Sequence, residues 1–221
     1  MTEKQKIITI VGMGPGNGMG IVRRFGKEGF TVAMISRNEE KLQKLQGELE
    51  KEGIKAYYFV GDASREDSLK KSFQMIREKV GNPEVLIYNA ARLKMRNILD
   101  ERFDSLVTDF KVNVAGVFTA VQEVLPSMLA KSKGTILITG GHLGIEPHKD
   151  FASLSMGKGA LINLVKTLAA ELKPKNIHVA SVIICGIIKP EDEKYNPSAI
   201  AENYWKLYTQ KKEEFEVEIL Y

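Results

Sequence analysis

Short apolar runs and longer amphipathic segments alternate along the whole chain. The apolar runs are rich in β-branched residues and predict buried strands at residues 6–11, 31–36, 56–60, 85–88, 135–139 and 178–184. The segments between them space their apolar residues as helices do, at about 21–25, 38–52, 65–80, 102–131 and 155–172. Asn38 is positioned to cap the second of these helices. A last run at 215–220 alternates apolar and charged residues and predicts an edge strand.

This alternation predicts the fold class. Strands that alternate with helices require crossover connections, which produce a parallel sheet covered on both faces. The segments are not separated by a linker rich in Pro, Gly or Ser, and 221 residues are enough for one sizeable core. We therefore expect a single α/β domain over residues 1–221, with a Rossmann-type doubly wound parallel sheet.

Composition and charge exclude several classes of function. Lys and Arg number 32 against 28 Asp and Glu, and the charges are dispersed, so we expect no nucleic-acid partner. Cys185 is the only cysteine, which excludes an intramolecular disulfide and a CxxC metal site, and we expect no bound metal. No apolar stretch approaches the roughly 18 residues of a membrane span. The first six residues lack an apolar signal core, so a cytoplasmic location is expected.

A glycine-rich segment between the first strand and the first helix carries the first chemical signal. It contains Gly12, Gly14, Gly16, Gly18 and Gly20. A turn without side chains lets backbone N–H groups and a helix N-terminus approach an anion. The pattern is GxxxGxG in two registers, of which the one beginning at Gly12 starts where the strand ends and is preferred. A ligand-free surface loop is the alternative, but the strand-loop-helix context favours the phosphates of a dinucleotide.

The end of the second strand bears on which dinucleotide is bound. Sites of this type that take NAD place a carboxylate there to accept a hydrogen bond from the ribose 2′-hydroxyl. This chain has Ser36 and Arg37 instead, so no acid would repel a 2′-phosphate and a guanidinium could pair with it. NADP(H) is therefore preferred over NAD(H). The alternative is that Arg37 is an ordinary surface cation.

The chain resembles the short-chain dehydrogenase/reductase family over nearly its whole length. Five segments in the family's order are similar to its motifs: 11–18 to the TGxxxGxG loop, 61–63 to the adenine-contacting Asp segment, 88–91 to NNAG, 111–118 to NVxGxF, and 157–161 to the end of the YxxxK helix. Residues 200–205 also resemble a C-terminal helix of bacterial members.

The resemblance implies a set of site residues. It places the cofactor against Gly12, Gly14, Gly16, Gly18, Met19, Ser36, Arg37, Asp62, Ala63, Asn89, Ala90, Lys158 and Ile188. It gives Asn113 the role of organising a proton-relay water. It also gives Lys158 the role of binding the hydroxyls of the nicotinamide ribose.

The chain departs from the family at its two other catalytic positions. The family has a proton-donating Tyr four residues before the Lys, and a Ser thirteen residues before that Tyr. Counting back from Lys158 gives Leu154 and Gly141, which can neither donate a proton nor hydrogen-bond through a side chain. His142 is a possible surrogate acid because imidazole titrates near neutral pH, although a loop histidine without a role is the alternative. Ser153 and Ser155 are each rotated about 100° around the helix from Leu154, so both should miss the site.

Three hypotheses about function follow. The first is an NADP(H)-dependent oxidoreductase that acts on a small carbonyl or alcohol substrate through a non-standard proton donor. The second is a non-catalytic NADP(H)-binding sensor or assembly protein, and the third is a non-redox enzyme on the same fold. The long helices at 102–131 and 155–172 have broadly distributed apolar residues, and the family pairs such helices between subunits. A homodimer or homotetramer is therefore expected.

Overall fold

The computed structural model describes residues 5–221, and in these residues one parallel sheet forms the centre of the fold. The strands are β1 (Ile7–Val11), β2 (Thr31–Ser36), β3 (Ala56–Val60), β4 (Val85–Tyr88), β5 (Gly134–Thr139), β6 (Ile177–Ile183) and β7 (Glu218–Leu220). Their order across the sheet is β3-β2-β1-β4-β5-β6-β7, and every neighbouring pair is parallel. The α/β doubly wound fold of a single domain is therefore confirmed for the described residues.

Seven α-helices cover the two faces of this sheet. They are α1 (Asn17–Gly26), α2 (Glu39–Lys51), α3 (Glu66–Lys79), α4 (Phe103–Phe110), α5 (Gly116–Lys131), α6 (Ala152–Leu172) and α7 (Pro197–Thr209). One apolar cluster joins α1, α2 and α7 to the sheet, and a second joins α3, α5 and α6 to its other face. The central strands are buried on both faces, which explains why their sequences are continuous apolar runs.

Local signals in the sequence agree with several of these boundaries. Strands β3 and β4 occupy the predicted residues, and Asn38 caps α2 by accepting a hydrogen bond of 2.8 Å from the backbone N–H of Lys41. Acidic Glu39 and Glu40 in the first turn of α2 complement the helix dipole. The edge strand is confirmed, although β7 forms only over Glu218–Leu220.

Three features differ from the prediction. Helix α1 begins at Asn17, so Gly18 and Gly20 are helical rather than part of a loop. The predicted helix at 102–131 contains a π-helical turn at Lys111–Ala115, between α4 and α5. The stretch Phe103–Lys131 is also long and apolar enough to cross a membrane by length and composition, which corrects the prediction that no stretch approaches that length. Half of its apolar window is buried within the protein, as in a core helix, so it is weak evidence for a span.

Gly20 allows α1 and α7 to pack directly against each other. A Cβ atom on Gly20 would lie 2.8 Å from Cβ of Pro197 and still closer to the Pro197 carbonyl oxygen. Glycine normally weakens a helix interior, so its presence here is explained by this close approach and not by helix propensity.

We predict that Gly20→Ala lowers the free energy of unfolding by about 1–3 kcal/mol, because the added methyl group forces α1 and α7 apart. Gly47→Ala in α2 is the matched control. No atom lies within 4 Å of the position of its added Cβ, and we expect a gain of about 0.5–1 kcal/mol from helix propensity. Urea denaturation measures both. A Gly20→Ala protein as stable as the unsubstituted protein would contradict the direct packing.

Candidate functional site

A cavity of about 210 Å³ opens at the carboxyl ends of β1, β2, β3 and β4. The strand order reverses between β1 and β4, and such a reversal is where ligands bind in open α/β sheets. Seven of the predicted site residues line this cavity: Gly12, Ser36, Arg37, Asp62, Ala63, Asn89 and Ala90. Side chains from four strand ends therefore meet at the place where the topology predicts a ligand.

The glycine loop meets the geometric requirements for binding a phosphate group. Gly12 has a φ of 87°, and a Cβ there would lie 2.7 Å from the Cβ of Ala90, so both conformation and space require glycine. At Gly14 and Gly16 no atom lies within 4 Å of where a Cβ would be. The backbone before the N-terminus of α1 is therefore bare, as an anion requires.

Gly18 and Met19 lie in the first turn of α1 and are buried. A Cβ on Gly18 would be 3.5 Å from Cα of Met13, an ordinary van der Waals contact, so α1 packs beside the preceding loop without requiring glycine at this position. The side chain of Met19 is 1% exposed and belongs to the core cluster beneath α1. Its backbone N–H donates to the Gly14 carbonyl. Met19 is thus a core residue whose side chain does not line the cavity.

Asn89 connects the glycine loop to the neighbouring strands. Its amide nitrogen donates to the carbonyl of Gly12 at 3.0 Å, and its amide oxygen accepts from Asn17 at 2.8 Å and from the Thr139 hydroxyl at 2.9 Å. The Thr139 hydroxyl also lies 2.7 Å from the hydroxyl of Tyr204 on α7. One side chain therefore fixes the ends of β1 and β5 and the start of α1 relative to one another.

The end of the cavity beside β2 and β3 places a carboxylate near a guanidinium group. Ser36 ends β2, Arg37 follows it on the surface, and Asp62 lies beyond β3. Burial alone would raise the pKa of Asp62, but the backbone N–H and hydroxyl of Ser64 donate to its carboxylate and the charges of Arg37 and Arg65 favour its ionised form. The net effect lowers the pKa of Asp62, so this carboxylate stays charged near neutral pH and within the electrostatic influence of Arg37.

Lys158 occupies a buried position at the other end of the site, on α6. Its side-chain ammonium donates to the carbonyl of Thr139 at 2.6 Å, and the residue is 7% exposed. Burial lowers the pKa of Lys158 from 10.5 to about 8. A Cβ on Gly141 would lie 3.4 Å from Cε of this lysine, so the two positions face each other. Leu154 lies one helical turn before Lys158 and is also buried.

Asn113 lies in the π-helical turn and approaches α6 closely. Its amide oxygen accepts from the backbone N–H of Arg92 at 2.9 Å. Within the described part of the chain its amide nitrogen has no hydrogen-bond partner, although the atom is buried. A Cβ on Gly157 would lie 3.0 Å from Cβ of Asn113, so glycine at 157 makes room for this side chain. π-Helical turns are frequent at functional sites, where they redirect one side chain.

The other candidate acids differ in their surroundings. Nε2 of His142 lies 3.1 Å from a carboxylate oxygen of Glu146, and its Nδ1 is buried without a partner among residues 5–221. His148 is more exposed, and its Nδ1 accepts from the backbone N–H of Asp150. The hydroxyl of Ser153 donates to Asp109, and that of Ser155 accepts from the backbone N–H of His148. Both hydroxyls therefore already have hydrogen-bond partners within the protein.

Ile188 and Cys185 follow β6. Ile188 is partly buried and packs against the cluster that contains α1 and α7, outside the lining of the cavity at β1–β4. The Cys185 thiol lies 3.5 Å from the carbonyl of Ile183 and is partly buried. Among the described residues, no group of three or more His, Cys, Asp or Glu side chains is arranged to hold a metal ion.

Arg92 and Asp109 are polar residues of the site region that sequence reasoning did not identify. Arg92 lines the cavity, and its Nε lies 2.9 Å from a carboxylate oxygen of Asp109, which is fully buried. The only available signal was that Arg92 follows Asn89 by three residues, and no motif links it to Asp109. Val112 also lines the cavity and was not predicted individually.

Comparisons with known proteins agree with this geometry. Residues 6–199 match the profile of the short chain dehydrogenase family. The chain is 27% identical over 213 residues to an uncharacterized oxidoreductase of Staphylococcus aureus (strain MW2), covering 93% of this chain and 91% of that one. It is 31% identical over 187 residues to a glucose 1-dehydrogenase of Gluconobacter oxydans (strain 621H), covering 84% of this chain and 70% of the other.

Solved structures are similar over almost the full length. A short-chain dehydrogenase from Rhodopseudomonas palustris superposes with a TM-score of 0.89 at 29% identity, covering 99% of both chains. A metagenomic short-chain oxidoreductase in complex with NADP gives a TM-score of 0.89 at 24% identity, covering 98% of this chain and 96% of that one. At 24% identity, the similarity to the metagenomic protein bears on the fold alone.

We predict that the buried Lys158 makes stability depend on pH. Its pKa of about 8 in the folded chain lies below the 10.5 of an ordinary lysine. Between these values the unfolded chain binds a proton that the folded chain does not, so the free energy of unfolding rises with pH across this window. Relative to the unsubstituted protein, Lys158→Met should therefore be most stable below pH 8. This advantage should shrink by about 3 kcal/mol as the pH approaches 10.5.

Urea denaturation of the ligand-free proteins at several pH values measures this difference. Lys166→Met is the control, since that lysine lies on the same helix with its side chain 57% exposed, and its difference from the unsubstituted protein should stay nearly constant. A Lys158→Met difference that does not change with pH would show that burial does not lower the pKa of Lys158.

Proposed function

Because the chain belongs to the short-chain dehydrogenase family, we propose that it is an NADP(H)-dependent oxidoreductase that reduces a small carbonyl, or oxidises the corresponding alcohol, with a non-standard proton donor. The observation that carries this proposal is the cavity at β1–β4, where a bare glycine loop and Arg37 stand at separate positions suited to phosphate groups. The oxidoreductase relatives support the class of reaction.

The residues present fit a dinucleotide. The backbone at Gly14 and Gly16 would hold the pyrophosphate, Arg37 the 2′-phosphate, Asp62 and Ala63 the adenine, and Lys158 the ribose hydroxyls. When bound, the nicotinamide supplies or accepts a hydride. The absence of an acid at Ser36 supports the proposed preference for NADP(H).

The proton donor is the part of the proposal that departs from the family. Leu154 and Gly141 stand where the family has Tyr and Ser, so neither side chain can donate a proton to a carbonyl oxygen. Loss of a general acid costs roughly 10²- to 10⁴-fold in rate, whereas positioning the reactants contributes several kcal/mol without any acid. His142 is the surrogate we propose. His142 directly follows Gly141. Its Nε2 lies beside the Glu146 carboxylate, and its Nδ1 has no hydrogen-bond partner among residues 5–221.

The second candidate function is a non-catalytic NADP(H)-binding protein, either a sensor or an assembly protein. The burial of Leu154 favours it, because an apolar side chain fills the position of the acid. In that case Lys158 and Asn113 would serve cofactor binding alone. Both functions predict that the protein binds NADP(H). Only the first predicts that the protein turns over a substrate.

Self-association is proposed through α4, α5 and α6. These helices expose large apolar side chains, among them Phe103 at 79%, Phe118 at 50% and Met156 at 43%. Exposed apolar groups of this size on neighbouring helices are typical of an interface. A homodimer or homotetramer and a cytoplasmic location are both part of the proposal.

We predict that Arg37→Ala weakens NADPH binding by roughly 10- to 100-fold, because a guanidinium contact to a phosphate is lost. NADH, which lacks the 2′-phosphate, should bind with nearly unchanged affinity. Titration calorimetry or the fluorescence of the reduced nicotinamide measures both constants. Arg65→Ala is the matched control, since it removes an equal charge near Asp62 from a side chain outside the cavity. Equal losses for NADPH and NADH would contradict the assignment of Arg37.

We predict that the protein consumes NADPH with some member of a panel of small aldehydes, ketones and imines. His142→Ala should then lower the turnover rate by about 10²-fold or more while leaving NADPH affinity unchanged. His148→Ala is the control, since this histidine lies on the same segment with its side chain 54% exposed. An unchanged rate in His142→Ala would remove that residue from the mechanism. NADPH binding without turnover across the panel would favour the non-catalytic function.

A further inference from the structure

A buried carboxylate lies beside the cavity and has no place in the function proposed above. Asp109 on α4 is 0% exposed. One of its oxygens accepts a hydrogen bond of 2.6 Å from the Ser153 hydroxyl on α6, and the other lies 2.9 Å from Nε of Arg92. Burying a charge is costly unless it is paired, and Arg92 is the only cationic side chain within 4 Å of Asp109 in the part of the chain that the structure describes. The carboxylate therefore holds this guanidinium in place.

The guanidinium is held on one side only. Its shortest contact with Asp109 is made through Nε, and neither Nη group makes a hydrogen bond within residues 5–221. The Arg92 side chain is 37% exposed and the residue lines the cavity, so these Nη groups remain accessible to a ligand. The backbone of Arg92 is also fixed, because its N–H donates to Asn113 in the π-helical turn. A side chain fixed at both its backbone and Nε is preorganised for binding.

The position of Arg92 separates it from Arg37. Arg37 follows β2 and Arg92 follows β4, and these strands lie on either side of β1. The ends of β2 and β4 are two strand spacings apart, or about 10 Å. We therefore expect the two guanidiniums to contact different parts of a bound ligand. Arg92 stands between the end of β1, where the glycine loop lies, and the π-helical turn that faces α6. This is the central part of the site and not the end that we assign to the 2′-phosphate.

We propose that Arg92, oriented by Asp109 and Ser153, is an oxyanion-binding residue of this site. A guanidinium with two free Nη groups matches the paired oxygens of a carboxylate or a phosphate. Two sources supply such oxygens at this position: the pyrophosphate of the dinucleotide, and a carboxylate carried by the substrate. In the second case the substrate class narrows to small 2-oxo acids or their hydroxy counterparts. This inference rests on the proposed function, because it takes the cavity to be the dinucleotide site.

The test compares three variants by calorimetry. Arg92→Gln combined with Asp109→Asn removes the guanidinium without leaving a buried unpaired carboxylate, which would otherwise destabilise the fold. Asp109→Asn alone keeps the guanidinium but releases it from its charged partner. Arg102→Gln is the matched control, an exposed arginine on the same connection and outside the cavity. Thermal unfolding of each variant verifies that it is folded.

Two probes distinguish the sources of the oxyanion. ADP-ribose contains the pyrophosphate but neither the nicotinamide nor a 2′-phosphate, and oxamate, added to protein saturated with NADPH, mimics a 2-oxo acid. We expect the double variant to lose roughly 10- to 100-fold in affinity for one of the probes, Asp109→Asn to lose less for the same probe, and Arg102→Gln to lose nothing. Loss for ADP-ribose assigns Arg92 to the pyrophosphate, and loss for oxamate assigns it to a substrate carboxylate.

The outcomes that contradict the inference are separate from those that contradict the proposed function. The role of Arg92 alone would be overturned by the following combination of results. The unsubstituted protein binds NADPH, and the folded double variant keeps its affinity for ADP-ribose and shows no loss of oxamate binding. In that case the ion pair only ties the connection after β4 to α4. Folded unsubstituted protein that binds neither NADPH nor ADP-ribose would overturn the proposed function itself, and the oxyanion role with it.

Discussion

The close approach of two strand ends is the constraint on which the site depends. Gly12 at the end of β1 and Ala90 beyond the end of β4 are so close that any side chain on the glycine would overlap the alanine. The amide of Asn89 then bonds the Gly12 carbonyl and also reaches α1 and β5. Beyond the turn at Gly12, the backbone at Gly14 and Gly16 has no atom within 4 Å of where a Cβ would lie. The open backbone before α1 thus depends on the packing of the strand ends and on the hydrogen bonds of Asn89.

The sequence predicts the sheet well because each central strand is buried on both faces. Such strands must be continuously apolar, and continuous apolar runs are visible without any knowledge of tertiary contacts. The start of α1 was less predictable. Glycines at 18 and 20 indicate a loop by their intrinsic propensity, but Pro197 packs directly against Gly20, and this tertiary contact outweighs propensity. The π-helical turn leaves no mark in the periodicity, because it forms where Asn113 meets Gly157 on another helix.

The candidate site likewise contains some residues that the sequence predicts and others that it does not. Ser36 was predictable because it ends a strand, whereas Asp62 and Asn89 were predicted from the family motifs that they resemble; all three line the cavity. Arg92 and Asp109 were not predictable, since one lies on a connection and the other on a helix, with no fixed spacing between them. The residues that we propose to bind the dinucleotide and those at the proposed proton-transfer positions lie on different elements of this fold. The first lie mainly at strand ends, and the second on α6 and on the connection after β5.

The contact between Gly20 and Pro197 also bears on how the protein is made. Helix α1 is among the first elements to be synthesised and α7 is among the last, yet they pack with no side chain between them at Gly20. The Tyr204 hydroxyl, also on α7, reaches Thr139 and through it the amide that holds the glycine loop. A chain still being translated therefore lacks the packing partner of α1 until α7 has been synthesised. The contact between these two helices is a late, long-range step in completing the fold.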